Sequence, residues 1–199
     1  LTFLGATASL KLPARGTILI SDVGGGSTEL IWGSSGKILG RVSLKLGSVR
    51  MTERYRTSGR STPRKIATIR HAVRTILRSA TVPWGKIETV VGVGGTATTL
   101  AAILHGVEPY DDKQVHGSAV PLDSMEKMID VLSIMTPRER MNLPSVPKGR
   151  ADIIVAGSAI QTEITSLAGA DRMIASDAGI LTGLILRAKN PLARRAQKV

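Results

Sequence analysis

Two carboxylates, Asp22 and Glu29, bracket the run Val23-Gly24-Gly25-Gly26-Ser27-Thr28. That grouping suits phosphate chemistry. Adjacent glycines have no Cβ, so their backbone N–H groups can approach one anion together. Ser27 and Thr28 add hydroxyl donors, Asp22 at a strand end is placed to hold a hydrated cation against phosphate oxygens, and Glu29 could orient a water molecule. A plain glycine hairpin would need neither the acid before the glycines nor the Ser-Thr-Glu sequence after them. The flanks position the loop: Ile18, Leu19 and Ile20 are a short apolar run of the kind that forms a buried strand, and residues 27–32 resume as a second strand.

A second glycine cluster, Gly92-Val93-Gly94-Gly95-Thr96, follows the apolar run at Val90 and Val91 and opens a helix that Gly106 stops. It lacks the third glycine of a dinucleotide fingerprint, and no strand-end acid follows at the right distance. What remains is a helix N-terminus whose Gly95 and Thr96 N–H groups form a ready anion site.

Taken together, Asp22-x-Gly-Gly-Gly-Ser-Thr-Glu and Gly92-x-Gly-Gly-Thr resemble the Ppx/GppA family of exopolyphosphatases and guanosine pentaphosphate phosphohydrolases. The resemblance continues through residues 1–10, Gly47-Ser48-Val49-Arg50-Met51-Thr52-Glu53, Arg150-Ala151-Asp152, and Ser176-Asp177-Ala178-Gly179 with Gly183. It implies an α/β fold, a ribonuclease-H-like lobe of the actin-like ATPase superfold, with a mixed sheet flanked by helices. Residues 1–199 would be one domain, the second of two lobes, with a helical segment near 123–168. The first lobe, its own phosphate loop and a catalytic glutamate directly upstream of Leu1 would lie outside this chain.

The resemblance further implies hydrolysis of terminal phosphate from inorganic polyphosphate, guanosine pentaphosphate or both. Mg²⁺ or another divalent cation would be held through Asp22. Gly24, Gly25, Gly26, Ser27, Thr28, Gly94, Gly95 and Thr96 would bind phosphate, Glu29 would act in catalysis, and Arg50 and Arg150 would reach substrate. An Arg150 ion pair with a carboxylate is the alternative at that position. The implied partners are the polyphosphate or nucleotide substrate and the absent lobe, with a homodimer kept as an option. A non-hydrolytic nucleotide- or polyphosphate-binding regulatory module and a kinase lobe of the same superfold are the competing readings. On the fragment reading, the chain by itself is expected to be inactive.

Composition narrows the field. The 199 residues are 42% hydrophobic, enough for one aliphatic core, with aromatics at only 3%. Base stacking on nucleic acid therefore has little to work with. There is no cysteine, which excludes disulfides and thiolate zinc sites. No pair among His71, His105 and His116 has helical metal-ligand spacing. No membrane-length apolar run or signal core stands out, so a compact cytosolic domain is expected.

Charge is unevenly placed. Residues 41–80 carry eleven cations against the single acid Glu53, out of a net charge of +12. Arg70, Arg74 and Arg78 repeat at helical spacing and read either as a solvated face or as a row that steers a polyanion. More cations, among them Arg194, Arg195 and Lys198, crowd the end of the chain.

The elements expected to carry these residues are strands near 17–22, 27–33, 37–46, 87–93 and 172–175. Helices are expected near 48–56, 63–79, 95–105, 150–167 and 177–188. Thr62 and Pro63 open the second helix. Asp123 with Glu126, and Thr136 with Glu139, read as capping boxes of two short helices. Asp111 and Asp112 read as a solvated turn, Asp177 as a helix cap, and Gly157 as a point of close backbone packing inside a helix.

Overall fold

The computed structural model describes residues 1–13, 15–34 and 36–189. In chain order these form α1 (Thr2–Ala8), β1 (Thr17–Val23), β2 (Thr28–Ser34), β3 (Lys37–Leu44), α2 (Ser48–Tyr55), α3 (Pro63–Arg78), β4 (Ile87–Val93) and α4 (Gly94–His105). There follow α5 (Asp112–Val115), β5 (Ala119–Pro121), α6 (Leu122–Ile134), α7 (Pro137–Arg140), α8 (Lys148–Ala151), α9 (Ile154–Leu167), β6 (Arg172–Ser176) and α10 (Ile180–Lys189). Arg194, Arg195 and Lys198 lie outside the described residues.

The six strands make one mixed sheet in the order β3-β2-β1-β4-β6-β5. β1, β4 and β6 run parallel, while β2, β3 and β5 are antiparallel to their neighbours. The parallel trio is buried on both faces. Leu19, Val23, Val90 and Met173 join the larger cluster under α3, α4, α6 and α9, whereas Ile18, Ile20, Val91 and Val93 pack with Phe3 and Ala6 of α1 on the opposite side. Burial on two sides explains why these strands read as unbroken apolar runs.

Thr62 accepts from the Lys65 amide ahead of Pro63, so α3 starts where the sequence places it. The Thr136–Glu139 capping box also forms. The one at Asp123 does not. Pro121 ends β5, and α6 starts at once with Leu122, whose amide is taken by the Asp171 carbonyl; Asp123 accepts from Ser124 instead. Glu126 reaches across to Arg70.

The helix expected over 150–167 is broken into α8 and α9. The physical cause is Arg140, a fully buried guanidinium that donates to the carbonyls of Leu132, Ser58, Ala151 and Gly59. Taking the Ala151 carbonyl removes it from the helical ladder and lets the chain turn between Arg150 and Ile154. Gly157, one turn into α9, faces Thr96 so closely that a Cβ there would stand 2.8 Å from the threonine Oγ1. Its glycine thus serves close helix packing.

The arginine row of α3 is neither a solvated face nor free for steering. Arg70 Nε and Arg74 Nε each donate to one oxygen of Glu163, at 2.6 and 2.5 Å, and Glu163 is wholly buried in α9. Arg70 also pairs with Glu126 at 2.9 Å. Only Arg78, at the helix end, lies exposed. No helix among the described residues is long and apolar enough to cross a membrane.

Candidate active site

The parallel strands β1, β4 and β6 all end at one edge of the sheet, the place where open α/β sheets take ligands. Each delivers a different group. β1 runs into the glycine turn, β4 into the N-terminus of α4, and β6 into the loop carrying Asp177. Pairing aligns a row across this edge: Ser43 of β3 lies opposite Glu29, and Glu29 opposite Asp22.

The glycine turn is held from behind. Its three carbonyls all face α2: Gly24 O accepts from Ser48 N, Gly25 O from Val49 N and Arg50 N, and Gly26 O from Arg50 Nε at 3.1 Å. In a trans peptide the C=O of one residue and the N–H of the next point oppositely. The N–H groups of Gly25, Gly26 and Ser27 therefore point away from α2 and outward as a set. The Gly24 N–H is excluded from that set, because it closes the turn on Ser27 O. Close approach also requires glycine at 47, where a Cβ would collide with the Gly25 carbonyl.

Glu29 is anchored by one oxygen. Ser27 Oγ and Ser43 Oγ both donate to its Oε1, at 2.8 and 2.7 Å, leaving Oε2 outside those two bonds. Beside it, the Asp22 carboxyl is pushed above its ordinary range first by burial and then by the negative charge of Glu29. Ser21, one residue earlier, exchanges hydrogen bonds with Gln161 of α9 and ties this strand end to the core.

Asp22 faces the second glycine cluster. A Cβ on Gly94 would stand 2.9 Å from Asp22 Oδ1, and Gly94 has φ +76°, a conformation that favours glycine on its own account. α4 begins here without a side-chain cap, so its first N–H groups are open to an anion. The Arg150 guanidinium lies directly on Gly95, where any Cβ would overlap it. Among the described residues Arg150 forms no ion pair with a carboxylate. A free cation, a helix N-terminus and the outward N–H groups of the turn thus border two carboxylates.

Several residues expected to touch phosphate do not present their side chains to it. Thr28 is fully buried, and its hydroxyl donates to Leu46 O at 2.6 Å. Thr96 is packed against Gly157 and offers only its backbone. Arg50, exposed, braces the turn through Gly26 O. Asp177 does not cap α10; it accepts from Tyr110 at 2.7 Å, and burial together with that carboxylate pushes the Tyr110 phenol up to about 12. Asp111 caps α5 by accepting from Lys113 N.

Ser43, Gln161, Glu163 and Arg140 have roles that motif reading missed. Ser43 was legible only through strand register. Gln161 and Glu163, an amide and a carboxylate among the small and apolar residues of α9, were the available signal for those two anchors; Arg140, in α7, carried none. Among the described residues no cluster of three His, Cys, Asp or Glu side chains gathers as an all-protein metal cage.

The chain matches the Ppx/GppA phosphatase family over residues 1–190. It is 35% identical over 192 residues to a Mycobacterium tuberculosis protein named exopolyphosphatase 2, covering 94% of this chain and 60% of that protein. A crystal structure of the Aquifex aeolicus Ppx/GppA phosphatase superposes with a TM-score of 0.85 at 31% identity, over 92% of this chain and 60% of the other. The crystal structure of an exopolyphosphatase-like protein gives 0.86 at 32% identity, over 96% and 65%. The chain therefore spans about 60% of the length of these relatives.

Proposed function

We propose, from the premise that this chain belongs to the Ppx/GppA phosphatase family, that it supplies one wall of an active site that hydrolyses the terminal phosphoanhydride bond of inorganic polyphosphate or guanosine pentaphosphate. The observation that carries this reading is the Arg150 guanidinium lying on Gly95 at the uncapped N-terminus of α4, one residue from Gly94, which packs against Asp22, the strand partner of Glu29. Phosphoryl transfer depends mainly on positioning and on stabilising negative charge. The outward N–H groups of Gly25, Gly26 and Ser27, the first N–H groups of α4 and Arg150 supply that stabilisation.

Asp22 would hold a Mg²⁺ ion. The fit rests on its donor chemistry: a carboxyl whose ionisation is opposed by burial and by Glu29 gains from a hard cation, and Mg²⁺ commonly takes one or two carboxylates together with substrate phosphates. When bound, the ion would neutralise phosphate oxygens. Glu29, fixed through Oε1, would orient the attacking water with Oε2. The stronger general base would be, as the family resemblance implies, a glutamate upstream of Leu1.

Product analysis tests the proposal on this chain joined to the part of a relative that it does not span. Released inorganic phosphate from polyphosphate or guanosine pentaphosphate is the expected result. Binding without turnover would make it a regulatory module, and ADP with a phosphorylated acceptor would make it a kinase; either outcome overturns the proposal.

A further inference from the structure

Much of the positive charge in residues 41–80 has a local use. Arg70 and Arg74 hold Glu163, Arg60 pairs with Glu139, and Arg50 braces the glycine turn. Four other cations gather in one place. Arg54, Arg56, Arg64 and Lys65, with Tyr55, Thr62 and Thr68, line a surface groove of about 420 Å³ between the end of α2 and the start of α3.

No carboxylate lines that groove, and Glu53, the one acid of the segment, stands outside it. The negative end of α2 and the positive end of α3 meet there and largely offset each other, so the four side-chain charges remain uncompensated. First turns of helices favour acids, yet the first turn of α3 has none and carries Arg64 and Lys65. Lys65 Nζ donates to Arg56 O at 3.1 Å, which fixes its ammonium at the groove with further N–H donors to spare. Such crowding of like charge weighs against the fold unless solvent or an anion screens it.

We propose that this groove is a second binding site for the chain of inorganic polyphosphate, apart from the candidate active site. The proposal rests on the polyphosphate reading above. It takes an inorganic polyanion in preference to nucleic acid because the one aromatic ring at the groove is already engaged: the Arg54 guanidinium lies 5.6 Å from the Tyr55 ring centre and the tyrosine side chain is half-buried against the core, which is a poor stacking platform for bases. Position supports a long ligand. Arg50 touches Gly26 of the turn, and Arg54, four residues on in α2 and also exposed, lies about 6 Å further along by helical rise. A substrate long enough to occupy both places gains from their linkage, whereas a short one gains nothing from the groove.

The test combines Arg54→Gln, Arg56→Asn and Arg64→Gln in the 199-residue chain. Asn is used at 56 because that residue has φ +51°, and Lys65 is kept because it caps α2. Isothermal titration would compare long-chain polyphosphate with tripolyphosphate at low and high salt. Long-chain affinity should fall tenfold or more at low salt, and its salt dependence should become shallower by about two to three in log–log slope; tripolyphosphate affinity should not change. Equal long-chain affinity for both proteins would overturn the proposal, as would single-stranded RNA that displaces polyphosphate at matched charge. If the triple variant does not fold, Arg64→Gln alone, at an exposed first-turn position, should weaken the long chain about threefold, and no change would again overturn it. Arg150→Gln separates the two sites: it should weaken tripolyphosphate, and if it does not, the active-site reading fails while the groove stands or falls on its own variants.

Discussion

Glu29 and Asp22 sit side by side and do opposite things. Glu29 accepts from two hydroxyls through one oxygen, so Glu29→Gln keeps that acceptor while removing the charge proposed to orient water. With this chain joined to the part of a relative that it does not span, kcat should drop about 10²-fold with the melting temperature nearly unchanged, the scale of losing a positioned acid or base. A steep fall in melting temperature with unchanged kcat per folded molecule would make Glu29 structural. Asp22 has its ionisation opposed in the fold, so its contribution to stability is fully present below the ordinary value of 3.8 and is lost as pH rises through the higher folded value. Asp22→Asn should therefore raise the melting temperature at pH 7, with the gain vanishing below pH 3.8. Mg²⁺ should raise the wild-type value at pH 7 and leave the Asn variant unmoved, because only a folded-state ligand site shifts the equilibrium. Thermal scans across pH, with and without the ion, decide both points.

Between elements, the strongest polar tie is Glu163 of α9 with Arg70 and Arg74 of α3. Glu163 has no solvent contact, whereas both arginines are partly exposed. Removing the buried partner leaves two guanidiniums at a neutral amide, but they can rehydrate. Glu163→Gln should thus cost about 2 kcal/mol, below the usual range for a fully buried pair. Glu126→Gln, at the exposed end of the same network, should cost under about 1 kcal/mol. Urea unfolding of both variants checks the ranking, and equal losses would mean that burial is not what gives this contact its weight. The α3 helix was legible from its cap, its proline and its apolar period. The use of its arginines was not, because helical spacing reports which residues share a face and is silent on what covers that face.

On the scale of the whole molecule, the groups proposed to face phosphate lie on one open side. Gly26 and Gly94 are exposed, and Arg150 is half-exposed. Hydrolysis at such a site needs a second surface to enclose the phosphates and exclude bulk water, and the relatives are longer than this chain. The 199 residues alone should release phosphate from polyphosphate with Mg²⁺ at no more than a small fraction of the rate of a full-length relative. Comparable turnover, measured side by side, would show that this wall suffices.

The sequence by itself determined five of the six strands, the two glycine turns, the start of α3 and the family, because apolar periodicity, proline and glycine act locally; the three-residue β5 is too short to show a period and was not among them. It also brought Asp22 and Glu29 to one hairpin, since a short turn leaves antiparallel neighbours little freedom of register. Tertiary structure alone decided which donors remain for a ligand. Thr28 spends its hydroxyl on Leu46 O, Asp177 is taken by Tyr110, and the Gly24 N–H closes its own turn. Arg140 breaks a helix that local pattern continues, and in doing so shapes the turn beside Arg150. Each of these outcomes is a contact between residues far apart in the chain or a competition for one hydrogen bond. Residue type and spacing name the groups that can bond, and only packing selects the partner each one takes.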